Sequence, residues 1–542
     1  VRNRSNRQSA ARTRHLTVNV VIGSGLAAVG AIRALLKRGI RPVVLDIGDR
    51  LPKDTMRVRR AMSHRSPSEW TDEEWKRLGE NETATTRGVP RKLVFGSDYF
   101  YSAEQVDGTK SEFITGSPPW SPARGGFSVG WGAAVLPPSA SDIASWPFSH
   151  DELLAHMRLV LDGVPVSEPD DELAAEFGRI RPENREHLAL SRGQRQLLER
   201  LQQVRMQSES AQVLVGQSRL LTRADARDSA RCRMCGHCSS GCVYESIYTA
   251  EQEFDRWTHE GSIDYRSGAV VFRLHEDGGV VRIHYESAGR LEILEADRVF
   301  VAAGAVNSTR LLLNSSPDKL ESAIIRRTGY MVQMYASPSP LAVDWPNVNT
   351  QASHFVALRH RETAPYWAHV QIGQPNELIL KRLGLRQANL TTLVGRTSKA
   401  VASRLVSAAL NVHSDRGPTY EVRIARDDRR LPSMMTRQQW DDDSRTTVNS
   451  YAKVLGRVLR GAGLYQVPFA RQNSGAALTY HFGASFPMAS QPTDANHTDT
   501  LGRPFGWQRI HAVDTSVLPA IPATTVGLLT MANAHRIAAN AP

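Results

Sequence analysis

Four thiols sit in one short segment of this chain: Cys232, Cys235, Cys238 and Cys242, spaced C-x2-C-x2-C-x3-C, with no cysteine anywhere else. Four thiolates so placed form a soft-metal ligand set. The spacing is that of the cysteine run that holds iron–sulfur clusters in bacterial ferredoxins. The expected cofactor is a 4Fe-4S cluster that moves electrons one at a time. In two-cluster ferredoxins the fourth cysteine of this run serves the other cluster. No second cysteine set exists here, so one thiol can be spare and a 3Fe-4S cluster is the other form. Structural zinc is an alternative, although zinc sites usually split into two C-x2-C halves across a longer spacer. Two disulfides in so short a loop would be strained.

A second constellation lies near the start. The apolar, β-branched run Leu16–Ile22 leads into Gly23-Ser24-Gly25-Leu26-Ala27-Ala28, a GxGxxA turn. A helical stretch, Val29–Arg38, follows and is closed by Gly39; a second strand, Pro42–Leu45, ends at Asp46. This is a βαβ unit with a dinucleotide fingerprint. Gly23 permits the tight turn, and Gly25 lets backbone approach a pyrophosphate at the helix N-terminus. Ala28 allows close helix–strand packing, and Asp46 can accept ribose hydroxyls. The unit alone does not separate FAD from NAD.

Other segments extend the pattern. Gly125-Gly126-Phe127-Ser128-Val129-Gly130-Trp131-Gly132 is a glycine-rich polar–aromatic loop. Val299–Leu312 reads as a buried strand, a turn through Ala303 and Gly304, and a helix. Near the C-terminus come Tyr480-His481-Phe482-Gly483 and the run from Val513-Asp514 to Pro522. In this order the segments resemble the glucose–methanol–choline (GMC) oxidoreductase family, with its GxGxxG/A turn, GGSS-x-x-WG loop, AAGA-x-N-[ST]-x-[RK]-LL signature, H-x-x-G block and VDAS-x-x-P-x-x-P block. The cysteine run falls between the second and third of these, as in the iron–sulfur sugar and polyol dehydrogenases of that family. Cys238–Cys242 followed by Ile247–Ala250 resembles their ligand stretch, with Val243 where they carry proline.

The resemblance implies non-covalent FAD held by Gly23, Gly25, Ala28, Asp46, Gly126, Ser128, Trp131, Gly132, Ala303 and Asp514. Gly130 stands where some family members attach flavin through histidine. His481 is the implied catalytic base, with one residue fewer between histidine and glycine than the family block has. The family's second catalytic residue, His or Asn, maps onto Thr525; its hydroxyl can hold a substrate oxygen but cannot shuttle protons as imidazole does. Thr524 is the neighbouring alternative. His497, His511 and His535 lack motif context and read as structural.

These residues need a scaffold that brackets two motif-free stretches. The expected fold is α/β: a discontinuous Rossmann-like FAD-binding domain (14–150, 225–335 and 475–542, with the cysteine loop at 232–250) and an α+β substrate domain (151–224 and 336–474) whose mixed sheet is flanked by helices. Helical spacing is read at Glu152–Leu161, Gly193–Val204 and Asp441–Arg460, and strand alternation at Tyr420–Ile424. A length of 542 residues suits two domains. The net charge of +12 is dispersed arginine, without the aromatic-interleaved pattern of nucleic-acid binders. It reads as a solvated basic surface, with attraction for an acidic redox partner or an anionic substrate as the alternative. No apolar run reaches membrane-span length. The Arg-rich start, Val1–His15, has no secretory apolar segment. With the thiolates, this argues for a reducing, cytoplasmic setting, with export alongside a partner as an alternative.

The leading functional expectation is an FAD-dependent dehydrogenase. It oxidises an alcohol carbon of a sugar, cyclitol or glycosylated metabolite and relays electrons through the cluster to a protein or quinone acceptor. The alternatives are an oxidase or lyase with structural zinc, and a non-catalytic flavin/iron–sulfur redox sensor.

Overall fold

A computed structural model describes residues 18–79, 85–86, 89–90, 92–101, 118–181, 183, 186–204, 211–317, 320–342, 348–376, 400–425, 432–473 and 479–542. The N-terminal segment read as polar and signal-free lies outside them, as do Leu16 and Thr17 of the first expected strand.

Short apolar runs bounded by turns become the strands of a five-stranded sheet, in which every neighbouring pair is parallel. The order is Ile510–Ala512, Arg298–Val301, Asn19–Ile22, Val43–Leu45, Asp264–Arg266. Val20, Val21, Val44, Val299, Phe300 and Val301 are fully buried, as strands covered on both faces require. The helices Leu26–Lys37 and Gly527–Asn540 lie side by side in this core. Gly30 is the point of closest approach: a Cβ there would stand 2.0 Å from the Met531 carbonyl oxygen. The antiparallel meander Ala269–Asp277, Val280–Ser287, Arg290–Ala296 packs on the helix Ala305–Ser315.

A six-stranded antiparallel sheet forms the second unit. Its order is Tyr465–Asn473, Gly329–Ala336, Leu405–Val412, Ala368–Gly373, His354–His360, Ala211–Gln217. One face carries Met331, Val356, Val370, Ile372, Ala408 and Leu410 into a core with Tyr451, Leu455, Val458 and Leu459 of the helix Asp442–Gly461. The other face is treated with the site. A four-stranded antiparallel sheet, Ser433–Gln439, Thr419–Ala425, Ser322–Arg327, Phe482–Gly483, carries the segment of His481 at its edge.

The α/β architecture and its discontinuous parallel sheet are those expected. The helices expected in the motif-free stretches form at His150–Val160, Arg192–Gln202 and Asp442–Gly461. Two boundaries differ. Residue 335 falls inside the strand Gly329–Ala336, which continues the six-stranded sheet. Leu153, Met157, Val160 and Ile180 enter the parallel-sheet core rather than the second one. The apolar face of that helix finds the final helix as its nearest partner, and burial, not motif spacing, assigns it there.

Candidate functional site

The carboxyl ends of the central parallel strands open onto a cavity of about 440 Å³, where open α/β sheets bind ligands. Gly23, Gly25, Asp46, Gly126, Ser128, Trp131, Gly132, Ala303, Asp514, His481 and Thr525 all line it. The fold thus gathers residues from both ends of the chain. Ala28 does not line it; fully buried, it packs inside the helix Leu26–Lys37.

The first turn is shaped for close approach. Gly23 has φ 102°, and a Cβ there would lie 2.5 Å from the Ala302 carbonyl oxygen, so the position excludes side chains. At Gly25 a Cβ would meet nothing within 4 Å: the backbone is bare toward the cavity. Gly126 faces it, its notional Cβ 3.4 Å from the Gly25 Cα. Three helices begin at this cavity, at Leu26, Ala305 and Gly527, and none has an acidic residue in its first turn. Their unpaired N–H groups favour an anion.

Asp46 is nearly buried at the end of its strand. Ser24 donates to its Oδ2 at 2.5 Å and Tyr265 at 2.8 Å, while Gly125 N–H donates to the Ser24 hydroxyl at 2.9 Å. Burial raises the Asp46 carboxyl to about 6, against the lowering pull of those two hydroxyls. Asp514 accepts from the Ser308 hydroxyl at 2.5 Å and from Ser516 N–H at 2.9 Å, and burial pushes its carboxyl up. Ser128 donates to the Gly125 carbonyl and accepts from Ala250 N–H, tying the glycine loop to the next helix. Trp131 donates to the Tyr248 carbonyl at 2.7 Å. At Gly130 a Cβ would lie 2.8 Å from the Phe100 ring, so this position has no room for a flavin-linking histidine unless Phe100 moves.

His481 is held by its backbone: its N–H donates to the Thr479 hydroxyl and its carbonyl accepts from Thr328 N–H. Its Nδ1 is closed from solvent and makes no hydrogen bond. Burial lowers the imidazole to about 4, so the ring is neutral at physiological pH, the form from which a base acts. Thr525 lines the cavity, but its hydroxyl accepts from Leu136 N–H at 2.7 Å and reaches the Leu136 carbonyl at 3.4 Å. That hydroxyl clips two chain segments together. Thr524 is fully buried with an unpartnered hydroxyl and is not part of the cavity lining. His511 bonds the Leu501 carbonyl, His535 bonds His156, and His497 bonds Asp494.

The cysteine loop folds back through left-handed residues at Met234, Gly236 and Gly241. Its sulfurs are half-buried and unpaired by disulfides. Three accept N–H groups: Cys232 from Asn349 Nδ2 at 3.5 Å, Cys238 from Thr350 N at 3.4 Å and Cys242 from Ser246 N at 3.2 Å. Cys235 and Cys242 pack in one cluster with Phe127, which lines the cavity. Among the described residues no three His, Cys, Asp or Glu side chains are placed to hold one metal ion. The convergence on a single point read from the spacing is therefore not formed. A mononuclear zinc site needs all its ligands within one coordination sphere, and metal binding and closure of such loops are coupled.

Sequence reasoning missed Ser24 and Tyr265, which hold Asp46, and the polar face of the six-stranded sheet, where Gln371 lines the cavity. The signal for the last was present: His369 and Gln371 are polar residues at alternate positions of an otherwise apolar strand.

No protein-family model matches the chain, and no curated protein is similar to it in sequence. Solved structures are similar in fold. Pyridoxine 4-oxidase from Mesorbium loti superposes with a TM-score of 0.59 at 15% identity, over 96% of this chain and 98% of that one. A fungal aryl-alcohol oxidase superposes with a TM-score of 0.56 at 11% identity, over 97% and 98%. The chain thus shares its fold with these two proteins over nearly its whole length.

Proposed function

We propose that the protein is an FAD-dependent GMC oxidoreductase that oxidises a CH–OH group of a small molecule to a carbonyl. One observation carries this reading: the neutral His481 ring stands in the same cavity as the bare Gly25 backbone and Asp46. The Gly25 turn and the N-terminus of the helix Leu26–Lys37 would hold the pyrophosphate, Asp46 the ribose hydroxyls, and the 126–132 loop the ring system. When bound, FAD would serve as the two-electron oxidant that accepts the hydride. His481, whose ring lines the cavity, would take the hydroxyl proton while the carbon gives up its hydride to the flavin, which leaves the carbonyl product. Without a nucleophile at Gly130, the flavin is non-covalent; acid precipitation should leave it in the supernatant.

The finer reading is a dehydrogenase of a carbohydrate-like alcohol, with a cluster on Cys232, Cys235, Cys238 and Cys242 passing electrons to a protein or quinone acceptor, in a cytoplasmic setting. Its support is the ferredoxin-type spacing, the N–H donors on three sulfurs, and the shared packing with Phe127. A cluster distributes its four thiolates over several irons, so it does not need the one-point convergence that zinc does. The second reading is an oxidase, favoured by the names of the two structural neighbours. Anaerobic purification followed by flavin, iron and acid-labile sulfide assays, then turnover of alcohols with a dye or with oxygen, separates them. Flavin without iron or sulfide, together with stoichiometric peroxide, selects the oxidase. A chain that binds no flavin overturns both.

A further inference from the structure

A second cavity, of about 510 Å³, lies between the edge strand Tyr465–Asn473, its neighbour Gly329–Ala336 and the helix Asp442–Gly461. It is on the helix-covered side of the six-stranded sheet and shares no lining residue with the first cavity. An irregular register opens it. Gln333 pairs with Arg471 and Tyr335 with Gln466, so Met334 alone stands opposite the four residues 467–470. Such a bulge breaks the ladder and bends the strand that carries it. Gln333 Nε2 donates to the Met334 and Val467 carbonyls and its Oε1 accepts from Gln466, which spends this amide on the bulge itself. Met331 and Tyr335, both buried, form an apolar wall. Four cations line the space, Lys453, Arg457 and Arg460 from the helix and Arg471 from the edge strand, and no carboxylate does. The spacing i, i+4, i+7 puts the first three on one exposed helix face, where like charges repel. Among the described residues no carboxylate pairs with these three. At Gly456, between them, a Cβ would meet nothing within 4 Å. Arg471 Nη2 donates to Asn449 Oδ1, which turns the guanidinium from the strand toward the helix.

We propose that this cavity is a binding site for a small di- or triphosphate, separate from the oxidation site. Three of the four cations are arginines, whose planar forks match phosphate oxygens bidentately. The volume is that of a small-molecule pocket rather than of a flat docking face. The helix dipole does not account for the set, because its pull on cations is confined to the last turn, which holds Arg460 alone. An anion seated among the four replaces their mutual repulsion with attraction and ties the helix to the edge strand. The competing account is a solvated basic face with no specific ligand.

The test titrates the holoprotein with inorganic tripolyphosphate, pyrophosphate and orthophosphate by calorimetry, at fixed ionic strength and without metal ions. Tripolyphosphate should bind one-to-one, more tightly than pyrophosphate and far more tightly than orthophosphate. Arg457→Gln combined with Arg460→Gln should weaken it about a hundredfold, tenfold for each charge-assisted hydrogen bond lost, and Arg471→Gln alone about tenfold. Arg290→Gln combined with Arg361→Gln makes the same change of charge on exposed arginines outside both cavities and should leave the affinity as it is. Lys453→Gln, with an expected loss of about tenfold, decides the matter if the arginine variants fail to fold. Absence of saturable binding to the wild type, or an equal loss in the control pair, overturns the proposal and leaves a solvated basic face. Binding that survives every change to the cavity lining puts the anion elsewhere, for instance at the glycine turn, and also overturns it. Poly-L-glutamate that binds more tightly than tripolyphosphate overturns it in favour of a docking face for an acidic protein.

Discussion

His481 and Thr525 show how much two cavity-lining residues can differ in what they are free to do. The His481 Nδ1 has no partner, whereas the Thr525 hydroxyl is engaged by the Leu136 backbone. His481→Ala should slow substrate-driven flavin reduction by about 10²–10⁴, the usual worth of a general base, while FAD stays bound. Because burial holds the His481 ring near 4, its base form persists as pH falls from neutrality, and the rate should decline only as pH drops through about 4. Stopped-flow traces across pH check both; a variant as fast as wild type places the base elsewhere. Thr525→Val should cost stability, about 0.5–1.5 kcal/mol for the lost hydrogen bond, and leave the reduction rate near wild type. A rate loss matching that of His481→Ala would return Thr525 to a catalytic role. Motif context was enough to single out His481, but a hydroxyl's commitment to a backbone residue 389 positions away has no trace in local spacing.

Among the elements, the glycine turn and the cysteine loop carry separable predictions. At Gly23 an added methyl meets the Ala302 backbone, which is not the mobile end of a side chain. Gly23→Ala should therefore yield protein with little bound FAD and a lowered Tm, measured by flavin absorbance after desalting and by calorimetry. Retained flavin would mean that the turn can shift without loss of the cradle. The cysteine loop is tied to the 348–350 segment and to Phe95, whose N–H donates to the Ser240 carbonyl at 2.8 Å, rather than to the glycine turn. Cys238→Ser or Cys242→Ser should then lose iron while keeping most FAD and its reduction by substrate, with turnover to the natural acceptor collapsing, because serine is a harder and poorer cluster ligand. Zinc without sulfide in anaerobic wild type would sink this.

For the whole molecule, the buried histidines set acid stability. His354, His413, His481, His511 and His535 are each lowered to about 4 by burial, and His369 to about 3. Unfolded, these rings take protons near 6.5; folded, they refuse them until about 4 or below. Stability from them is thus present above about 6.5 and lost as pH falls toward 4. Asp46 and Asp142 act oppositely, since burial raises them to about 6 and about 7 and the folded state binds their protons first. His156 and His284 are lowered as well, and Asp49, Glu251 and Asp514 raised, so eight histidines against five carboxyls among the described residues leave the unfolded chain binding more protons between about pH 7 and about pH 5. Tm measured by calorimetry at constant ionic strength should fall across that interval; a flat or rising Tm would show that the carboxylates, or groups outside the described residues, dominate.

The βαβ turn was legible in the chain because its constraints are local: a strand, a turn that only glycine can make at Gly23, a helix, and an acid at the end of the next strand are set by nearest neighbours in sequence. The ordered motifs, from Gly23 to Asp514, likewise implied a discontinuous sheet, and their strands lie together in it. What folding alone decided depends on which surfaces meet. The final helix, by packing on the first at Gly30, brings its own N-terminus to the cavity. The helix His150–Val160 joins that core because its apolar stripe finds a face there. Gln371 faces the site because its strand has one covered face, where Val370 and Ile372 go, so that the alternate residues must point the other way. Strand alternation can be read from six residues; the identity of the covered face cannot, because it depends on the distant helix Asp442–Gly461 that covers it.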